Sequence, residues 1–180
     1  MILHVDWNKR HAEKRELSPE SLAKVNELMT HVPEGKHKSA LIRVLHLAQI
    51  EFGWLSIETM DYVAELLKIQ PIEVYEVATF YTMFHLDPVG KHVFEVCRTG
   101  PCMLVGSDDI ISHIENKLNI KVGETTQDGM FTLKTAECLG ACGYGPMLQC
   151  RHKNHEFLTK DKVDELIDAY RSGQFESLSI

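Results

Sequence analysis

Apolar residues recur at three- and four-residue intervals through the first 90 residues, as they do on one face of an amphipathic helix. Ser18 and Pro19 form a helix start, with an N-cap residue followed by proline at the first helical position. The pattern predicts four helices, over residues 19–32, 38–52, 56–67 and 71–84. Four short amphipathic helices indicate a small helical bundle over residues 1–90.

Near residue 90 the pattern changes from helical spacing to alternation of apolar and polar residues. It predicts strands at 92–96, 130–136 and 147–151, helices at 103–118 and 159–173, and a further short strand at 156–158. We expect a turn at Lys153–Asn154, flanked by His152 and His155. A strand–helix–strand crossover makes the first two strands parallel. Residues 91–180 are therefore predicted to form an α/β domain.

Composition narrows the class of protein. The chain has 180 residues, 44% of them hydrophobic, and a net charge of −7. No run of Lys and Arg covers a face, so nucleic acid and anionic lipid are poor partners. The N-terminus lacks the apolar region of a secretory signal, and no window reaches the roughly 18 apolar residues of a membrane helix. We expect a cytoplasmic chain that joins any membrane assembly through partners.

Five cysteines occur, all between Cys97 and Cys150. The odd number, the crowding and the missing signal argue against a disulfide framework. No C-x-x-C is present, which excludes a thioredoxin-style dithiol motif. In a reducing compartment, clustered thiols more often hold a metal or carry out redox chemistry.

The predicted topology brings four of these thiols together. Cys97 ends the first strand and Cys102 lies near the start of the next helix, while Cys138 and Cys142 follow the second strand. Loops at the carboxyl ends of parallel strands meet at one edge of the sheet. Four thiolates suit an iron–sulfur cluster or zinc, and the C-x4-C and C-x3-C spacing favours the cluster. Cys150 is expected to be a small buried apolar residue instead.

Glycines and a proline surround the second pair of thiols. Gly140, Gly143 and Gly145 disfavour a regular helix and let the backbone approach a metal closely. Pro146 stands beside the site at the mouth of a strand. We predict a cis peptide bond before this proline.

Two motifs carry a family resemblance. The segments CRTGPC (97–102) and CLGACGYGPM (138–147) resemble the thioredoxin-like [2Fe-2S] subunit of respiratory complex I, the E subunit or 24 kDa subunit family. VATFYTMF (77–84) and FGWLS (52–56) are similar to other segments of that family. The resemblance implies a helical N-terminal region followed by a thioredoxin-like [2Fe-2S] ferredoxin domain.

The resemblance also implies a function. Cys97, Cys102, Cys138 and Cys142 would bind one [2Fe-2S] cluster, two thiolates to each iron. The cluster would exchange single electrons with FMN on a neighbouring flavoprotein subunit of F type, which also binds NADH. A G-type iron–sulfur subunit would be a further partner, in the cytoplasmic peripheral arm of the complex. This chain has no G-x-G-x-x-G or Walker loop and no expected catalytic residue of its own.

Other assignments remain open from the sequence. The same motifs occur in NAD-linked hydrogenases and formate dehydrogenases, so an equivalent diaphorase subunit is the main alternative. A free thioredoxin-like electron carrier and a structural zinc protein are two more. The aromatic residues Phe80, Tyr81 and Phe84 are expected to pack in a core, with an exposed partner site as the alternative.

Overall fold

A computed structural model describes residues 7–175 of the chain. The chain forms two compact units, Met1–Pro88 and Val89–Ile180. The division into domains 1–90 and 91–180 stays a prediction. The helical region and the α/β domain predicted from the sequence are both present, which confirms the fold class. None of the described helices is long and apolar enough to cross a membrane.

The first unit is helical. Its helices are α1 (Pro19–Thr30), α2 (Leu41–Phe52), α3 (Ile57–Leu67) and α4 (Pro71–Phe80), with 3-10 segments at Trp7–Arg10 and His37–Ala40. The Ser18 side chain accepts a hydrogen bond from the N–H of Ser21, so the predicted N-cap is confirmed. The Ser56 side chain accepts one from the N–H of Thr59 and caps α3 in the same way. α2 ends at Gly53, which has φ +84°. A core of apolar side chains from Leu17 to Phe84 holds the helices together.

The three aromatic residues at and after the end of α4 differ in burial. The helix ends at Phe80, four residues earlier than predicted, because Tyr81 is extended. Phe84 is buried against His46, with ring centroids 5.1 Å apart, so the core-packing prediction is confirmed for this residue. It is wrong for Phe80 and Tyr81, which are 77% and 39% exposed. Their role as a partner site stays a prediction.

The second unit contains a four-stranded sheet in the order β2-β1-β3-β4. The strands are β1 (His92–Cys97), β2 (Phe131–Ala136), β3 (Leu148–Cys150) and β4 (Lys153–His155), and the helices are α5 (Gly100–Leu104), α6 (Ser107–Leu118) and α7 (Lys160–Arg171). β1 and β2 are parallel, as predicted, and β3 is antiparallel to both of its neighbours. A buried cluster joins the sheet to α6 and α7 and includes Cys150, whose predicted burial is confirmed.

Two predicted boundaries in this unit are wrong. The single helix at 103–118 is two helices, because Gly106 adopts φ +101° between them. The last hairpin turns at Arg151–His152 rather than Lys153–Asn154, because Arg151 takes the left-handed conformation with φ +56°. The fourth strand therefore covers 153–155 instead of 156–158, and His155 is buried rather than beside the turn.

Candidate metal centre

The parallel pair of strands positions both cysteine loops. Cys97 is the last residue of β1 and lies opposite Ala136, the last residue of β2. Cys138 follows two residues later, so both loops leave the sheet at the same edge. The Arg98 N–H donates to the Ala136 carbonyl, N to O 3.0 Å, which continues the pairing one step into the loops.

The four thiols differ in exposure. Cys97 and Cys102 are 2% and 1% exposed and pack with the fully buried Met147. Cys138 and Cys142 are exposed, and all of these thiols are free. Gly145 and Pro146 are joined by a cis peptide bond just before Met147, as predicted. The site therefore has a buried side, on the first loop, and an open side, on the second.

The Cys97 sulfur receives hydrogen bonds from both loops. Its burial disfavours the thiolate, but interactions with the N–H groups of Thr99 and Leu139 and with the side chains of Cys102 and Thr99 outweigh that effect. The pKa of Cys97 is consequently lowered. Leu139 belongs to the second loop, so this sulfur is stabilised as an anion by the backbone of both segments.

The other three thiols affect the pKa of Cys102. Burial, the hydrogen bond to Cys97 and the charges of Cys97, Cys142 and Cys138 raise its pKa to about 11. Like charges that share a site disfavour ionisation, and the contribution of the other three thiols to this shift is consistent with a shared site.

Two glycines shape the second loop in different ways. Gly140 has φ +73°, and its N–H donates to the Cys138 sulfur, N to Sγ 3.4 Å. Gly145 lies against the first loop. A Cβ atom there would be 3.0 Å from Val105 Cγ2 and 3.2 Å from Cys102 Sγ. The close approach of the two loops therefore depends on the absence of a side chain at residue 145.

The donors fit an all-thiolate cluster. Four cysteine sulfurs are the usual ligands of [2Fe-2S], and backbone N–H groups directed at sulfur are typical of such sites. Within the described part of the chain, no group of three or more His, Cys, Asp or Glu side chains is arranged to hold a single metal ion. The structure places the two loops that carry the four cysteines at one edge of the sheet, and the role of these cysteines as ligands remains a proposal.

Sequence reasoning missed two residues of this site. Thr99 lies inside the first motif, but no spacing rule distinguishes its hydroxyl from any other polar group of a loop. Met147 alternates like a strand residue, and only the fold places it under the buried thiols. The glycines were predicted as a group, whereas the contact with Cys102 belongs to Gly145 alone.

Comparison with known proteins identifies the family. A family model described as thioredoxin-like [2Fe-2S] ferredoxin matches residues 25–171. The chain belongs to this family. The match extends over most of the helical unit as well as the α/β unit, so the resemblance that the two cysteine motifs indicated is confirmed.

Curated members of the thioredoxin-like [2Fe-2S] ferredoxin family are similar along most of the chain. The E subunit of the NADH-quinone oxidoreductase of Rickettsia felis is 49% identical over 146 residues, which cover 81% of this chain and 86% of that protein. The mitochondrial NADH dehydrogenase [ubiquinone] flavoprotein 2 of Dictyostelium discoideum is 42% identical over 160 residues, which cover 88% of this chain and 65% of that protein.

A solved structure shares the fold. The crystal structure of an NAD+-reducing [NiFe]-hydrogenase in the air-oxidized state matches 74% of this chain with a TM-score of 0.65 and 19% identity. The match covers 23% of the hydrogenase chain. At this identity the likeness shows a common fold and nothing about the assembly.

Proposed function

We propose that this chain is the [2Fe-2S] electron-transfer subunit of an NADH:quinone oxidoreductase, with Cys97, Cys102, Cys138 and Cys142 as the cluster ligands. The observation that carries the proposal is the convergence of the two cysteine loops at the end of the parallel pair β1–β2. The raised pKa of Cys102, to which all three other thiols contribute, supports a shared site.

The chain's own residues prepare an anionic site. When bound, a [2Fe-2S] cluster supplies storage and release of one electron. Met147 excludes water from the side of Cys97 and Cys102. The N–H groups of Thr99, Leu139 and Gly140 offset negative charge on sulfur. The exposed side, at Cys138 and Cys142, leaves a short route for an electron to a neighbouring protein.

The partner that we propose is an F-type flavoprotein subunit carrying NADH and FMN, with a G-type iron–sulfur subunit nearby, on the cytoplasmic side of a membrane complex. The names of the relatives at 42% and 49% identity support membership of a multi-subunit NADH dehydrogenase. The hydrogenase likeness, at 19% identity, supports the fold only. This chain contributes electron transfer to the reaction and no acid, base or nucleophile.

The cluster is tested first. The full chain, made with adequate iron and purified without oxygen, is assayed for iron, sulfide and zinc, and its EPR spectrum is recorded after reduction with dithionite. We expect about two irons and two sulfides per chain and a rhombic spin-half signal. One zinc per chain and no reducible signal would contradict the proposal.

Matched cysteine variants then test the ligands. Cys138→Ala removes an exposed thiol of the site, and we expect iron content to fall at least severalfold. Cys150→Ala is the control, because this thiol is buried in the sheet core and should not alter iron content. Equal iron loss in both variants would mean that the thiols act through folding alone.

The partner is tested by reconstitution. The loaded chain is mixed with an F-type subunit holding FMN, and cluster reduction by NADH is followed by EPR. We expect reduction only when both proteins are present. Reduction by NADH without the flavoprotein, or none with it, would contradict the proposed electron exchange.

A further inference from the structure

One side-chain hydrogen bond joins the two cysteine loops directly. The Thr99 hydroxyl, between Cys97 and Cys102, donates to the Glu137 carbonyl, which immediately precedes Cys138. The bond spans 38 positions of sequence. It follows the backbone bond from the Arg98 N–H to the Ala136 carbonyl by one residue on each strand. Thr99 therefore extends the parallel pairing of β1 and β2 into the loops with a side chain.

The local position of Thr99 would favour a different bond. Thr99 is the N-cap of α5, where a threonine hydroxyl usually accepts a hydrogen bond from an N–H group of the first helical turn. Its side chain makes no such bond here. The hydroxyl is directed at the other cysteine loop instead, so its role lies in joining the loops rather than in capping the helix.

The loop connection bears on the Cys97 sulfur. The N–H of Thr99 on its own loop and the N–H of Leu139 on the second loop are among the groups that lower the pKa of the Cys97 thiol. The thiol of Cys97 also lies 3.7 Å from the Thr99 hydroxyl, Sγ to Oγ1. Leu139 is two residues beyond Glu137, the residue that Thr99 holds. The Thr99 hydroxyl therefore fixes the segment that brings the Leu139 N–H to the sulfur.

We propose that Thr99 is a positioning residue that raises the reduction potential of the cluster by holding the second cysteine loop in hydrogen-bonding distance of the Cys97 sulfur. The inference rests on the proposed function, since it presumes a cluster at these thiols. Reduction adds negative charge to the cluster, and N–H donors to the ligand sulfurs stabilise that charge. Releasing Glu137 lets the Leu139 N–H move away and leaves the reduced state less stable.

The decisive comparison uses three variants of the full chain. Thr99→Val keeps the shape and removes the hydroxyl, and Thr99→Ser restores the hydroxyl. Thr135→Val makes the same change within β2, outside the two cysteine loops. Each protein is loaded with cluster, and its midpoint potential is measured by EPR during a redox titration.

We expect the reduced-to-oxidised ratio of Thr99→Val at a fixed ambient potential to fall by about three- to tenfold, where tenfold corresponds to about 59 mV for one electron. Thr99→Ser and Thr135→Val should match the unchanged chain. A merely structural role would lower cluster content or thermal stability without moving the potential. An unchanged potential in loaded Thr99→Val overturns the proposal.

Hydrogen exchange of the cluster-free chain decides the case in which Thr99→Val fails to load. We expect faster amide exchange across residues 137–142 in Thr99→Val than in the unchanged chain or Thr99→Ser. Equal exchange in all three overturns the proposal. Failure of the proposed function can be distinguished from failure of this proposal. If the unchanged chain takes up no cluster, the proposed function is refuted, and the exchange experiment still tests the connection between the loops.

Discussion

Gly145 lies so close to Cys102 that one added methyl group would meet the thiol. The Cβ of an alanine at this position would be 3.2 Å from Cys102 Sγ and 3.0 Å from Val105 Cγ2. Val105 is 54% exposed and can yield, whereas Cys102 is buried and is a proposed ligand. Overpacking a tight site costs about 1–3 kcal/mol. We expect Gly145→Ala to shift Cys102 and to lower iron content at least twofold, measured per chain after anaerobic loading.

Gly143→Ala is the matched control for this prediction. A Cβ there meets no atom within 4 Å, so the protein tolerates the methyl group. We expect iron content near that of the unchanged chain. If both variants load equally well, the close approach at Gly145 has no bearing on the site.

These glycines illustrate what sequence can and cannot establish about a site. The sequence was enough to predict that the two cysteine loops leave one edge of the sheet, because parallel strands fix where their loops emerge. The glycines were predicted only as backbone that can approach a metal. Their separate roles depend on φ at Gly140 and on interatomic distances at Gly145. Neither quantity can be predicted from the local sequence pattern.

The hairpin of β3 and β4 shows the same limit for whole elements. Its two strands were predicted at 147–151 and 156–158, but the turn residue Arg151 has φ +56° without being glycine or asparagine. That conformation moved the turn two residues upstream of the predicted one. Strand side chains alternate between the faces of a sheet, so the register decides which of them are buried. His155 consequently lies inside, with its Nε2 2.9 Å from the Tyr170 hydroxyl of α7.

The contact of β4 with α7 should make stability depend on pH. Burial, and secondarily the charge of Lys153, lower the pKa of His155 to about 4. Between about pH 6.5 and pH 4 the unfolded chain binds a proton at this histidine that the folded chain does not. The contribution of the neutral His155 to the free energy of unfolding is complete above about pH 6.5 and is lost as the pH falls towards 4. We expect a loss of about 3 kcal/mol in the free energy of unfolding over this range.

Urea unfolding of the cluster-free chain under reducing conditions measures this slope. His155→Gln should remove the histidine's part of the decline between pH 6.5 and 4. His152→Gln, on the exposed turn, should retain the full decline. An identical pH dependence in the His155 variant and the unchanged chain would show that the contact between β4 and α7 is not the source.

At the scale of the whole molecule, the chain contains two units with separate hydrophobic cores. The core of the first unit is built from residues between Leu17 and Phe84. The second unit has its own core around Phe94, Phe131 and Ile167, and a smaller one beneath the proposed cluster ligands. The change of hydrophobic pattern near residue 90 was visible in the sequence because helices and strands bury residues at different spacings.

This organisation predicts that the second unit can fold and bind the cluster alone. All four proposed ligands, the parallel strands that position them and the Thr99–Glu137 bond lie within Val89–Ile180. A fragment with these residues should therefore melt cooperatively and, once loaded, give the same EPR signal and midpoint potential as the full chain. The measurements are circular dichroism during heating and an EPR-monitored redox titration of both proteins.

A fragment that stays unfolded, or that folds and takes up no iron while the full chain does, would mean that the helical unit is needed to form the site. A fragment that matches the full chain in both measurements would leave the helical unit free for a different role, and comparing the binding of the two proteins to the FMN-bearing subunit would show whether that role is recognition of the partner.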